Sequence, residues 1–495
     1  MFESQQTTGY VVLCALGLLL FIHRYWLRSS GNLNLPPGPP GNRLSVGPNI
    51  VRQFNEWANE YGPIFSFKNG RQRIVVLTTY QAAVDVMQKH GSDLADRPRT
   101  VAAGEILSGD MRTLLVGAGE RLKKLRRALH SQLQASAARQ YAPLQRRNAK
   151  DYVRNMLADP EHHLDHGRTY AASVIMELTY SKTTPTTYSD PEVKEVVKCL
   201  GNFFEALRIG RYLVDALPFL KYIPFGGVAE LKKRHEDELS LFESQLFATK
   251  DRMAKNATQP CFATYLFEHQ KEYELSDAEL AYLAGSMFGA GSDTTASGLG
   301  IITMAAATHP HELKKVQAQL DEVVGRDRMP NFDDEPVLTQ VTAFVLEVHR
   351  WRLIAPFGFA HKATKDIPWR DYIIPSGSIV YGNHWTIMHD PDVFAEPETF
   401  NPDRWLDEKG RIRDDLKHFD FGFGRRVCPG QYVAERSLFI NTALMFWAFN
   451  IREDPAAPID TMSFTDGSVV HPQPFRVSIE ARNPNLREIL EADVD

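Results

Sequence analysis

The longest unbroken helical pattern in the chain begins at Ser276-Asp277-Ala278-Glu279, which has the form of a capping box, with Leu275 and Leu280 placed as its hydrophobic staple. The pattern runs to about Thr308, where His309-Pro310 ends it, and that is unusually long for a globular protein. Around it, from Gln81 to about Thr342, the periodicity stays mostly helical, broken by Pro218, Pro224 and Gly226-Gly227. Strand signals lie towards the two ends. Ile64 to Lys68 and Gln72 to Leu77 flank Asn69-Gly70, a tight hairpin signal. Tyr372 to Ile374 and Ile379 to Tyr381 are joined by Pro375-Ser376-Gly377. The predicted class is mainly α with minor β-sheets, an α+β body. A length of 495 residues would allow several domains. Nothing between Phe65 and the C-terminus reads as an interdomain linker.

Within the long helix lies Ala290-Gly291-Ser292-Asp293-Thr294-Thr295. Ala290 and Gly291 open space beside the backbone, and the Thr294 hydroxyl can bond preceding carbonyls and distort the helix. Taken alone, this is also what a glycine at a close helix contact and an internal Asp-Thr cap look like. A second cluster is Phe421-Gly422-Phe423-Gly424-Arg425-Arg426-Val427-Cys428-Pro429-Gly430. Its glycines allow tight or positive-φ backbone and close approach to a flat macrocycle. Phe421 can cover the sulfur of Cys428, and the following helix start favours thiolate over thiol. The alternative is a buried free cysteine beside a turn. A single thiolate on haem iron pushes electron density that promotes O–O cleavage.

Through Phe421, Gly424, Arg426, Cys428 and Gly430 the chain resembles the cytochrome P-450 family, whose signature is Phe-x-x-Gly-x-Arg-x-Cys-x-Gly. The resemblance covers the span from Phe65 to the C-terminus and implies one catalytic domain: a long distal helix over haem b and a proximal cysteine loop. It makes Cys428 the iron ligand, sets Gly291 at the oxygen pocket and gives Asp293 and Thr294 the delivery of protons to dioxygen, an acid and hydroxyl relay.

Haem propionates need cations, and three candidates are readable: Arg426, His361 and Arg126. The family pattern at Arg126 is Trp-x-x-x-Arg, and Leu122 stands where the tryptophan would be. The cluster Arg121, Lys123, Lys124, Arg126 and Arg127 is either a solvated basic face or, by the resemblance, the dock for an acidic reductase surface. Glu347 and Arg350 share one helix face; they form either a solvated i,i+3 pair or, as the resemblance implies, a buried structural network completed by Arg404.

Gly9 to Ile22 is uninterrupted apolar sequence that widens to about 20 residues if Thr7 and Leu27 bound it, marginally long enough to span a bilayer, with Glu3 before it and His23, Arg24 and Arg28 after the apolar run. That charge bias puts the body in the cytosol. A cleavable signal peptide would carry the basic flank on the other side. The organisation expected is an anchor over 1–28, a proline-rich linker over 29–45 containing Pro36-Pro37-Gly38-Pro39-Pro40, and a catalytic domain over 46–495. The anchor-plus-proline layout matches microsomal members of the family, hence a single-pass endoplasmic reticulum protein. The sequon at Asn256 would then stay unmodified. Cys14, Cys199, Cys261 and Cys428 are widely spaced, as suits a reducing compartment. A net charge of −5 with dispersed basic residues gives no reason to expect nucleic acid.

The resemblance places substrate-facing segments at Ala102 to Val116, Leu283 to Ala290, Leu353 to Phe359 and Phe464 to Val470. Phe288, Leu353, Ile354, Phe357 and Phe359 suggest a lipophilic substrate of terpenoid, steroid, fatty or aromatic type. Apolar residues are also the ordinary stuff of a core. The reading is a haem-dependent monooxygenase of fungal secondary metabolism or xenobiotic oxidation. Its electrons come from NADPH through a flavoprotein reductase, with cytochrome b5 as a further donor. The rivals are a haem-thiolate isomerase, dehydratase or peroxygenase, and a non-enzymatic haem sensor or ligand carrier on the membrane.

Overall fold

A computed structural model describes residues 34–41, 50–70, 72–183, 186–208, 210–224 and 226–492. The expected anchor over 1–28 and most of the linker lie outside these residues. The longer helices are α1 (Ile50–Tyr61), α2 (Glu120–Leu133), α3 (Ala142–Ala158), α4 (His163–Tyr180), α5 (Pro191–Leu207), α6 (Val228–Ala254), α7 (Phe262–Tyr273), α8 (Asp277–Thr308), α9 (Pro310–Val323), α10 (Thr339–Trp351) and α11 (Gln431–Ala448).

The long helix forms where its caps put it. Ser276 Oγ accepts from the Glu279 N–H at 3.2 Å, and the Glu279 carboxylate accepts from the Ser276 N–H at 2.9 Å. From Leu280 onward most of α8 is buried, apart from a more open stretch around Ala290 to Thr295, because α4, α6 and α11 pack around it. Small residues make this close approach possible. A Cβ on Gly285 would fall 2.2 Å from the Phe242 ring of α6, and one on Gly298 would fall 2.9 Å from Leu438 of α11.

The predicted hairpin is present as β1 (Ile64–Asn69) and β2 (Gln72–Leu77), paired antiparallel with Asn69 opposite Gln72. The next strands are β3 (His361–Lys362), β4 (Ile367–Trp369), β5 (Tyr372–Ile374) and β6 (Ile379–Gly382). Although Pro375-Ser376-Gly377 joins β5 to β6, the two do not pair. β5 pairs with β4, while β6 lies parallel to β2, with Ile74 opposite Ile379, and forms the sheet β1-β2-β6-β3. A parallel pair between segments some 300 residues apart leaves no local signal. A further hairpin, β7 (Phe449–Glu453) with β8 (Val477–Ala481), was not expected.

The proline segment is not a free spacer over its whole length. The Pro37 carbonyl accepts from the Ser66 N–H at 2.7 Å, the Pro36 carbonyl accepts from Ser66 Oγ at 2.8 Å, and a Cβ on Gly38 would collide with the Ser66 carbonyl. The Asn34 carbonyl accepts from Ile373 N–H at 2.8 Å. The folded body therefore takes in Asn34 to Gly38, upstream of the boundary expected at residue 45.

Candidate active site

The cysteine loop is shaped by its own backbone. The Cys428 N–H donates to the Phe421 carbonyl at 2.9 Å, closing the loop before α11 starts. Gly422 and Gly424 hold φ of +84° and +51°. A Cβ on Gly424 would sit 2.8 Å from the Met87 carbonyl oxygen and 2.9 Å from Gly91 Cα. The close approach expected towards a macrocycle is thus made, at Gly424, towards the backbone of 87–91. Gly430 has an ordinary φ of −86°, with its absent Cβ 3.9 Å from Cys428 Sγ.

Burial pushes the Cys428 thiol up, and the Gly430 N–H and the Arg126 charge oppose that shift without reversing it. A coordinated metal deprotonates a thiol outright. The Phe421 ring packs against His349 and His418, which stack on each other at 4.8 Å, and His349 Nδ1 is 2.8 Å from the buried Asp420 carboxylate. This imidazole pair behind the aromatic shield had no sequence motif to announce it.

The cations converge, with one change of cast. Arg426 donates to the Ala95 and Val116 carbonyls and Arg126 to the Val427 carbonyl at 3.0 Å. Arg97, missed in the sequence, joins them, donating to the Leu114 and Phe359 carbonyls at 3.1 Å. Burial, then the neighbouring Arg426 charge, lowers Arg97 to about 9; burial and Arg126 lower Arg426 to about 10. Buried neighbouring guanidiniums that bond only carbonyls are suited to a dianionic ligand such as a pair of propionates. His361 lies beside Arg97 and Arg426. Burial and Arg97 lower it to about 3, and its Nδ1 lies 2.7 Å from the Leu94 carbonyl, so the ring is neutral. Leu122 is buried on the inner face of α2.

On α8, the Thr294 hydroxyl donates to the Ala290 carbonyl at 2.9 Å, yet the helix runs on without a break. Ala290 is exposed in the middle of this buried helix, so space opens beside it. Gly291 faces elsewhere: a Cβ there would meet Ile175 of α4 at 2.6 Å, so this glycine serves helix packing. Asp293 and Thr294 do not pair with each other, since successive helical residues point apart. Asp293 Oδ1 instead lies 3.0 Å from His471 Nε2. α8 and α11 touch at Gly298 and Leu438, which ties the distal helix to the element that follows the cysteine loop. A polar turn beside open space, a lone cysteine on a closed loop and a cluster of largely buried guanidiniums all fit haem.

Glu347 and Arg350 are fully buried at 0 % exposure. Arg350 donates twice to the Glu347 carboxylate at 2.8 Å, Arg404 donates at 3.1 Å, Trp405 Nε1 at 2.9 Å and the Asn401 N–H at 2.8 Å. The solvated i,i+3 alternative is excluded by this geometry. The basic face is partly neutralised: Arg121 pairs with Glu279 at 3.0 Å, Lys123 with Glu120 at 2.6 Å, and Lys124 with Glu274.

Among the expected pocket residues, Phe288 packs on Tyr180 in the core and Leu353 joins the core under β2 and β6; both are plain core. Ile354 is in the core beside α11, and Phe357 lies against Phe54 and Tyr381. The segment from residue 102 to 116 is more polar than expected. Arg112 forms a buried ion pair with Glu238, which also accepts from Tyr282 Oη at 2.9 Å.

Comparisons agree with this frame. Residues 36–479 match the family Cytochrome P450. The chain is 53 % identical to cytochrome P450 monooxygenase 88 of Postia placenta over 466 residues, covering 93 % of this chain and 94 % of the relative. It is 31 % identical to cytochrome P450 monooxygenase FrzL of a Cladobotryum species, covering 95 % and 91 %. A zebrafish cytochrome P450 with abiraterone superposes at a TM-score of 0.70 and 24 % identity, over 88 % of this chain and all of the other. The fold is that of a haem-thiolate protein. The chain belongs to the cytochrome P450 family and is a haem-dependent monooxygenase, in which a cysteine thiolate ligates the iron.

Proposed function

We propose that the chain is a membrane-anchored monooxygenase that oxidises a lipophilic small molecule with electrons passed from NADPH through a flavoprotein reductase. Haem, when bound, supplies reductive activation of dioxygen and transfer of one oxygen atom. Cys428 is its thiolate ligand, and Arg97, Arg126 and Arg426 hold its propionates. Phe421, backed by the His349–His418 stack, keeps water from the sulfur. Asp293 and Thr294 deliver protons from α8, where the hydroxyl is held to the Ala290 carbonyl and keeps its lone pairs for an incoming proton donor. The exposed cations of α2 and Arg425, beside the cysteine loop, form the reductase dock, its field reduced by the carboxylates of Glu120, Glu274 and Glu279. Residues 1–28 anchor the body at the cytosolic face of the endoplasmic reticulum. The kinship with fungal monooxygenases supports a role in secondary metabolism or xenobiotic oxidation.

The observation that carries the ligand assignment is the closed loop from Phe421 to Cys428, with Arg126 on its Val427 carbonyl. The test replaces the sulfur. Cys428→Ser is expected to lose the thiolate band of the reduced carbon-monoxide spectrum and reductase-supported turnover together, because a hydroxyl donates far less electron density. Retention of that band in the serine variant would remove Cys428 from the iron.

A further inference from the structure

The turn from Phe464 to Val470 was expected to face substrate, and the residue that follows it, His471, reaches the proposed proton-delivering stretch of α8. His471 Nε2 lies 3.0 Å from Asp293 Oδ1, with side chains 21 % and 17 % exposed. The turn is clamped by contacts that do not involve the imidazole. Ser297 Oγ, one helical turn beyond Asp293, donates to the Val470 carbonyl at 2.6 Å, and the Val470 N–H donates to the Ile354 carbonyl at 2.9 Å. The His471 N–H donates to Thr465 Oγ1, and its carbonyl accepts from the Thr465 N–H, both at 2.9 Å. The backbone that carries the ring is pinned on both sides, and the ring lies beside the carboxylate.

We propose that His471 is a positioning residue for proton delivery, its Nε2, 3.0 Å from Asp293 Oδ1, holding the carboxylate by close polar contact in the orientation from which it works. The inference rests on the reading of Asp293 as the acid. Asp293 and Thr294 are neighbours on a helix and point apart, so nothing in the helix itself fixes where the carboxylate aims. A carboxylate held 3.0 Å from an imidazole on an anchored turn loses part of that freedom. Partial exposure leaves the pair open to water, from which the acid is reloaded after each transfer.

The experiment uses the full-length holoenzyme reconstituted with a flavoprotein reductase, with dioxygen as the sole acceptor. It measures hydrogen peroxide released per NADPH oxidised. One NADPH and one proton with dioxygen give peroxide; two NADPH and two protons give two waters, so poor proton delivery raises the peroxide share. His471→Ala is expected to raise the peroxide-to-water ratio about two- to tenfold, below the roughly 100-fold or more associated with losing an acid outright. His471→Gln, whose amide N–H reaches about as far, should restore most of the wild-type ratio. His471→Ala added to Asp293→Asn should do no further harm. Unfolding temperatures of the two single and one double variant give a readout without turnover, and their shifts should be less than additive if the contact exists. The proposal is overturned if His471→Ala partitions like wild type while Asp293→Asn does not, if Gln is as damaging as Ala, or if the shifts add. Should Asp293→Asn itself leave the ratio unchanged, the acid reading fails and the positioning role with it, whatever the unfolding temperatures say of the contact.

Discussion

At the scale of single residues, burial decides protonation. His384 is buried against Phe423, with Nδ1 2.9 Å from the Ala355 carbonyl, and burial lowers it to about 4. Its unfolded value is near 6.5, so between about pH 6.5 and 4 the unfolded chain binds a proton that the folded chain refuses. The sign follows: this contribution to stability is complete above pH 6.5 and is lost as pH falls through the window, by about 1.4 kcal/mol per unit. His389, lowered to about 3 by burial, acts in the same direction. Thermal unfolding followed from pH 7 to 4.5 should therefore fall more steeply for the wild type than for His384→Asn, which keeps a donor near Nδ1 but cannot titrate. Equal slopes would show that His384 does not carry the effect. Single residues were also where the sequence was least complete. Cys428 and Arg426 could be read because their motif is local. Arg97 and His471 could not, because each acquires its role from segments far along the chain, Phe359 for one and Asp293 for the other.

The elements are stabilised by close contact between helices, and the glycines of α8 set its limit. Gly285→Ala should gain about 1 kcal/mol in helix propensity. The new Cβ would lie 2.2 Å from the Phe242 ring, which is itself fixed edge-on against Tyr282 at 5.3 Å and cannot swing away. Overpacking of this kind costs about 1 to 3 kcal/mol, and so severe an overlap falls at the upper end. The net expectation is a lower unfolding temperature for Gly285→Ala and recovery in Gly285→Ala with Phe242→Leu. A variant at least as stable as the wild type would refute that contact. Element boundaries were legible where chemistry is local: the Ser276–Glu279 box fixed the start of α8, and Asn69-Gly70 fixed the first hairpin. Pairing was not, because β2 and β6 lie some 300 residues apart in the chain and their register leaves no local signal. Burial of Glu347 was open in the sequence for the same reason; its partners Trp405 and Asn401 lie more than 50 residues on.

For the whole molecule the unresolved balance is between the segment over 1–28 and the surface of the folded body. Among the described residues no helix is long and apolar enough to cross a membrane. The body nevertheless exposes one apolar cluster between α5 and α6: Leu213, Leu217, Ile223, Phe219 at 60 % and Tyr222 at 78 %. Contiguous exposed apolar side chains of this kind mark a contact surface, and aromatic and aliphatic side chains at a headgroup boundary bind by burying apolar area at about 25 cal/mol per Å². Such a patch is far weaker than a spanning segment. Deleting residues 1–28 should therefore convert tight membrane association into weak association, seen as partial flotation with phosphatidylcholine vesicles. Adding Phe219→Ser and Tyr222→Ser to the truncated chain should abolish flotation, because the two most exposed rings supply most of the area. The same pair of changes in the full-length chain should leave it membrane-bound if the proposed anchor over 1–28 alone suffices. A truncated chain that never floats would assign the patch to another partner. A truncated double variant that still floats would place the second contact elsewhere on the body, and a full-length double variant that comes off the membrane would deny residues 1–28 the role of anchor.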